Sequence, residues 1–301
     1  MFKSSHIWGW VLLFVSFVWG IEFALVHQAL DSLGPNTFNG LRFFIAIVTL
    51  SVYCLLSRQS LKPHMNRATL HHGIVLGLLL FAGFATQSVG LQYTSASNGG
   101  FITGLNVVLV PVTAWLWLKQ PQHWYVWLGV AMATVGTLLL TGGIDGFGRG
   151  ELWILCCAFA FAIHIVYTGV YARQVNPLAL TQVQFITVTL FSALAACLWE
   201  ADSLSSVAPV LFGGQPAGTT AWLAILVGGI LGTGLAYVAQ TIGQQTMAAW
   251  RVALIFATEP LFAALGGYWL LSEVLTTMAW LGALLIVASM LVAELADDND
   301  E

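Results

Sequence analysis

The chain of 301 residues is 58% hydrophobic and only 7% charged, against roughly 25% charged residues in a soluble globular domain, so it reads as a membrane protein and not a soluble one. Its net charge of −4 owes much to the tail Asp297-Asp298-Asn299-Asp300-Glu301, and the absence of a basic patch argues against nucleic acid as a partner. Cys54, Cys156, Cys157 and Cys197 lie in apolar runs without metal or disulfide spacing and read as small core residues.

A bilayer core takes about 20 apolar residues per helix, and ten runs meet or approach that length: 7–30, 36–57, 71–91, 95–118, 124–142, 151–172, 178–199, 219–241, 247–271 and 277–295. The first run is longer than the apolar region of a signal peptide, so it is expected to be a retained span. Short connections carry the breakers and charges of membrane edges: Asp31 to Pro35, Arg58 to His72, Lys119 to His123, Thr141 to Glu151, Arg173 to Pro177 and Glu200 to Thr220. With the N-terminus inside, Lys3, Arg58, Lys62, Arg67, Lys119 and Arg173 gather on the cytoplasmic side, Arg251 lies near that edge, and the outer loops keep only Arg149. The expectation is a multi-pass protein of the inner (plasma) membrane with both termini cytoplasmic.

The chain is written twice. Shifted by 153 positions, Tyr93–Gly129 lies without a gap on Thr246–Gly282, so that Asn98 falls on Arg251, Asn106 on Glu259 and Gln120 on Glu273, and before that stretch the same shift puts Gln87 on Gln240 and Gly90 on Gly243. With a shift of 142, Ser16–Phe23 falls on Ala158–Ile165, Pro35 on Pro177 and Phe43 on Phe185, which matches Glu22 to His164. Each copy holds five helices. An odd number makes the second copy enter the membrane from the opposite side, so the expected fold is an all-α membrane protein of ten transmembrane helices in two inverted five-helix repeats, 1–142 and 150–295, followed by an acidic cytoplasmic tail, 296–301.

An ionisable group at the bilayer centre costs between about 2.5 and 17 kcal/mol. Glu22, His164 and Glu259 lie about fifteen, thirteen and twelve residues into their spans, near the midplane. Phe23 sits four after Trp19, so the two rings are expected to stack along one flank with the Glu22 carboxylate beside them, as a site for an amine-bearing or aromatic molecule needs. The plain alternative is a protonated Glu bonded to a neighbouring helix. His164 is either a proton-relay partner or substrate donor, or a satisfied core histidine. Glu259 precedes Pro260, so this point is either a hinge with a carboxylate beside it or a tolerated kink. Arg251, eight residues before Glu259, is expected to snorkel to the cytoplasmic edge, and Arg42 to snorkel or to pair with an acid elsewhere. Gln87, Gln240, Asn98 and Asn106 either line a wet cavity or fasten helices together. Gly73/Gly77, Gly100/Gly104 and Gly228/Gly232 carry the small-residue spacing of close helix contact.

Trp19-Gly20, Arg42, Thr94–Pro111, Ala257–Glu273 and Trp280–Leu291, in this order and on a duplicated plan, resemble the EamA-like ten-helix branch of the drug/metabolite transporter superfamily over nearly the whole chain. Gln120 departs from the acidic residue often found at its position. The resemblance implies an inner-membrane carrier, usually an exporter of small organic metabolites, working by alternating access without ATP, and a gating role for Arg251. Amino acids or amine-like compounds are the expected substrates, with protons as the candidate coupling ion, the lipid bilayer as surroundings, and a monomer or homodimer as the assembly. No cofactor is implied. The chain carries no GxxxxGK[ST], HExxH or G-x-S-x-G motif, so catalysis has little support. A uniporter or channel-like facilitator is the first alternative, and a membrane enzyme or lipid-handling scaffold the second.

Overall fold

Helices are the only regular structure in the computed structural model, which describes residues 2–94, 96–142, 148–214, 216–271 and 276–297. They are α1 (Phe2–Ala29), α2 (Pro35–Leu56), α3 (Arg67–Leu91), α4 (Ala96–Gly104), α5 (Asn106–Leu118), α6 (Trp124–Thr141), α7 (Arg149–Tyr171), α8 (Pro177–Trp199), α9 (Ala201–Phe212), α10 (Pro216–Val227), α11 (Ala236–Gly243), α12 (Ala249–Phe256), α13 (Glu259–Leu271) and α14 (Thr277–Asp297). A π-helical stretch, Gly228–Leu235, joins α10 to α11. Eight described segments are long and apolar enough to cross a membrane, the last being Ala217–Gly243. The segment predicted as 247–271 is two shorter helices, and residues 298–301 of the acidic tail lie outside the described residues.

Proline and side-chain caps set the helix starts. Pro35 and Pro177 occupy first-turn positions, where the missing N–H has no helical partner to lose. Asn66 and Asn176 accept from Thr69 N and Ala179 N at 2.9 and 3.0 Å. The loop expected between Glu200 and Thr220 contains α9 instead. Val207, Val210 and Leu211, at helical spacing, pack with Trp222 against a core of Leu30, Phe38 and Ile225. The polar residues of its first turns conceal that pattern in the sequence.

The heaviest packing joins the two halves of the chain. α6 lies on α14, α3 on α7 and α8, α2 on α8 and on the π-helical stretch, and α1 on α13. Gly73 and Gly77 let α3 approach Val183 and Thr187 of α8, whereas Gly100 has nothing within 4 Å of where a Cβ would stand. The 100/104 spacing is therefore no packing motif. Of the cysteines, Cys54 and Cys157 are buried as expected, but Cys156 and Cys197 are exposed. They are on outward helix faces, where an apolar side chain meets lipid rather than core.

Two helices break at matching points. α4 gives way to α5 at Leu105, and α12 to α13 at Ala257–Thr258, 153 residues later. Pro260 is the second residue of α13, so it starts a helix rather than kinking one from inside. The break at Leu105 forms with no proline beside it; Pro111 sits further on, within α5. Thr258 Oγ1 donates to Ser16 Oγ at 3.0 Å and ties the second break to α1.

Candidate functional site

The two breaks face a central cavity. It offers about 60 Å³ to the centres of water-sized molecules, several times the ~10–15 Å³ that one water needs. Trp19, Glu22, Phe23, Arg42, Gln87, Asn106, His164, Gln240 and Glu259 line it. These include all but Asn98, Arg251 and Pro260 of the residues singled out in the sequence. Asn98 is buried at the start of the fourth span, with Nδ2 3.4 Å from Glu151 Oε1. Arg251 does not snorkel. It is 2% exposed, because Arg251–Phe256 of α12 are buried on every face and leave no path along lipid to the edge. Pro260 is buried directly after Glu259.

Glu22 and Arg42 form a buried ion pair. Arg42 Nη2 lies 2.9 Å from Glu22 Oε1 and 3.2 Å from Oε2. Arg42 Nε donates to Thr233 Oγ1 at 2.6 Å, Nη2 also to the Gly232 carbonyl at 3.3 Å, and the guanidinium lies 4.7 Å over the Phe84 ring. Nη1 takes no part in these bonds. A charge paired on this many sides stays inside, which is why Arg42 does not snorkel.

The pair is seated in the π-helical stretch. Trp19 Nε1 also donates to the Gly232 carbonyl of this stretch, at 2.7 Å. A Cβ on Gly232 would fall on Glu22 Oε2 and lie 3.2 Å from Arg42 Nη2, and one on Gly228 would crowd the same carboxylate. Gly228/Gly232 is thus a slot for an ion pair. Gly232→Ala is expected to lower the thermal midpoint of the purified protein by several degrees, and a comparison of melting curves in detergent checks it.

His164 is committed in a different way. Its Nε2 donates to Gln184 Oε1 at 2.8 Å, and its ring stands edge-on to Tyr237 with centroids 5.8 Å apart. Trp19 does not stack on Phe23, as their spacing suggested; its ring meets Phe256 at 4.7 Å and Tyr237 at 5.7 Å. Helical spacing along α1 does not show what a neighbouring helix offers. Glu259 differs from both. Its side chain reaches the cavity and makes no hydrogen bond or ion pair with a described residue. Asn106, which opens α5 as Glu259 opens α13, has a buried Oδ1 with no hydrogen-bond partner among the described residues.

Several cavity residues were not singled out in the sequence, though the repeat relates them to one another or to residues that were. A shift of 142 carries Trp19 to Phe161 and Arg42 to Gln184, and a shift of 153 carries Phe84 to Tyr237 and Thr103 to Phe256. Phe161, Phe84, Tyr237, Thr103 and Phe256 all line the cavity, and Gln184 holds His164. Glu22–Arg42 and His164–Gln184 therefore occupy matching positions, one as an ion pair and one as a hydrogen bond.

A second hollow opens at the face bearing Arg173, with about 520 Å³ on the same measure. Gln120, His123, Arg173 and Trp250 are among its lining residues. Ile165 and Phe256 of the cavity and Ala114, Val166 and Met247 of this vestibule belong to one buried apolar cluster.

The chain matches the profile of the EamA-like transporter family twice, over residues 6–142 and 148–294. It is 32% identical over 284 residues to an uncharacterized transporter of Archaeoglobus fulgidus, covering 94% of this chain and 84% of that protein. It is 25% identical to the uncharacterized transporter YyaM of Bacillus subtilis, covering 94% and 92%, and 24% identical to a chloroplastic WAT1-related protein of Arabidopsis thaliana, covering 96% and 70%. A solved protein crystal structure superposes with a TM-score of 0.77 at 19% identity, covering 95% of this chain and 97% of that one, which is a likeness of fold.

Proposed function

The chain belongs to the EamA-like transporter family, and from that premise we propose that it is a secondary active transporter that carries small organic metabolites, amino acids or amine-like compounds, through the central cavity by alternating access. The carrying observation is Glu259, a cavity carboxyl committed to no described residue, facing a space whose other acid is already neutralised by Arg42. A carboxylate in that setting holds either a proton or the ammonium group of a solute. Asn106 Oδ1 is a second acceptor for the same donor, and Arg42 Nη1 is a free donor for a solute carboxylate. The rings of Trp19, Phe84, Phe161, Tyr237 and Phe256 suit an apolar body or cation–π contact.

Ten spans in two inverted repeats is the architecture that supports this reading best. The matched breaks at Leu105 and Thr258, and the matched pairs Glu22–Arg42 and His164–Gln184, fit a two-fold axis passing through the cavity. The bias of Lys and Arg toward one side supports an orientation with both termini and the Arg173 vestibule in the cytoplasm, in an inner membrane of bacterial type. The direction we favour is export.

Uptake of a metabolite panel by liposomes containing the purified protein tests the proposal. Saturable flux of an amine-bearing solute, accelerated by a pH gradient, is expected. Flux that rises without saturation would identify a channel-like facilitator.

A further inference from the structure

We infer that Glu200 is a gating residue: its carboxylate clasps the two halves of the bundle together on the face opposite the Arg173 vestibule, and it must let go for that face to open. The inference rests on the transporter reading above. The start of α2 has no side chain of its own to satisfy its first N–H groups, because its cap position is Gly34. Glu200, at the far end of α8, supplies the acceptor from the other half of the chain. Its Oε1 accepts from Asn36 N at 2.7 Å and Asn36 Nδ2 at 2.9 Å, and its Oε2 from Thr37 N at 2.9 Å and Thr37 Oγ1 at 2.7 Å. A carboxylate at a helix N-terminus also meets the favourable end of the helix dipole.

The opposite face shows that a cap alone needs no such arrangement. Under the shift of 142, Gly34 matches Asn176, which caps its own helix through Ala179 N at 3.0 Å. Glu200 matches Arg58, which is exposed. The same joint is thus closed within one helix on the vestibule side, and between halves on the Glu200 side. Gly34 keeps the seat open, since a Cβ there would collide with the Glu200 carboxylate. A second acid from the second half reinforces this face: Glu151, 7% exposed, accepts from the Thr94 hydroxyl and from Asn98 Nδ2 at the start of the fourth span. The larger hollow lies on the face that lacks these ties.

The test is labelling of a cavity cysteine from each side of the membrane. Val26 lines the cavity from α1 and is 7% exposed. Val26→Cys, with the four native cysteines replaced by alanine, is treated with a membrane-impermeant maleimide in right-side-out vesicles, with inside-out vesicles as the control. Adding Glu200→Ala is expected to raise the outside labelling rate about tenfold, the size of one net hydrogen bond lost from the closed state. Gly34→Asn/Glu200→Ala then copies the local cap of Asn176. It is expected to recover the melting temperature while labelling stays fast. Labelling that never rises, or that falls back to the parent rate once the local cap is restored, would make Glu200 a helix cap only and overturn the inference. Labelling needs no substrate, so solute flux in the same preparation reports on the transporter reading separately.

Discussion

Arg42→Met, with Glu22 left in place, is expected to destabilise the protein by about 3–5 kcal/mol, because it strands a buried carboxylate that has lost its counter-charge. Glu22 and Arg42 are 3% and 4% exposed. Thermal denaturation in detergent reads the effect directly. The repeat supplies the control. Glu22→His/Arg42→Gln writes into the first half the pair that the second half holds at the matching positions, His164–Gln184. This double variant is expected to recover most of the loss. A single Arg42→Met variant that melts with the parent would remove the ion pair from the account of what holds the cavity wall.

Glu259→Gln is the second large effect, and it falls on function. A hydrogen bond to a charged group is worth ~1.5–3 kcal/mol, so an amine-bearing solute is expected to lose about 10–100-fold in apparent affinity. The fold should survive, because Glu259 makes no hydrogen bond or ion pair with a described residue that the amide would break. Half-saturation constants for parent and variant check this, with melting curves confirming that both are folded. The contrast with Glu22 is the useful part: Glu22→Gln acts mainly through the Arg42 it leaves unpaired.

The sequence ranks these acids the other way. Its rings and depth favour Glu22 as the solute's carboxylate, and only the fold brings Arg42 from another helix onto it. Depth in a span is legible from counting residues; rotation toward a partner is not. Arg251 shows the same limit. Its position near a helix start suggested an exposed edge, and nothing in the local sequence says that α12 is enclosed by its neighbours. The all-helical membrane class and the family were legible from composition and the duplication, because each is a property of many residues together. So was part of the cavity wall, once the offset of 142 is applied to residues already suspected: Phe161 follows from Trp19, and Gln184, which holds His164, from Arg42. Glu200 and Glu151 were hidden for a different reason. A charge beside a loop reads as solvated, and only the placement of α8 against α2 turns Glu200 into a partner for a helix start.

Uphill accumulation of an amine-bearing solute in liposomes under an imposed pH gradient, compared between the parent and Glu259→Gln, tests the central claim most directly. The expected result is gradient-driven accumulation in the parent and slow, gradient-independent equilibration in the variant, with both proteins folded. Accumulation by Glu259→Gln that still follows the gradient would contradict the claim that this carboxyl carries the exchanged cation.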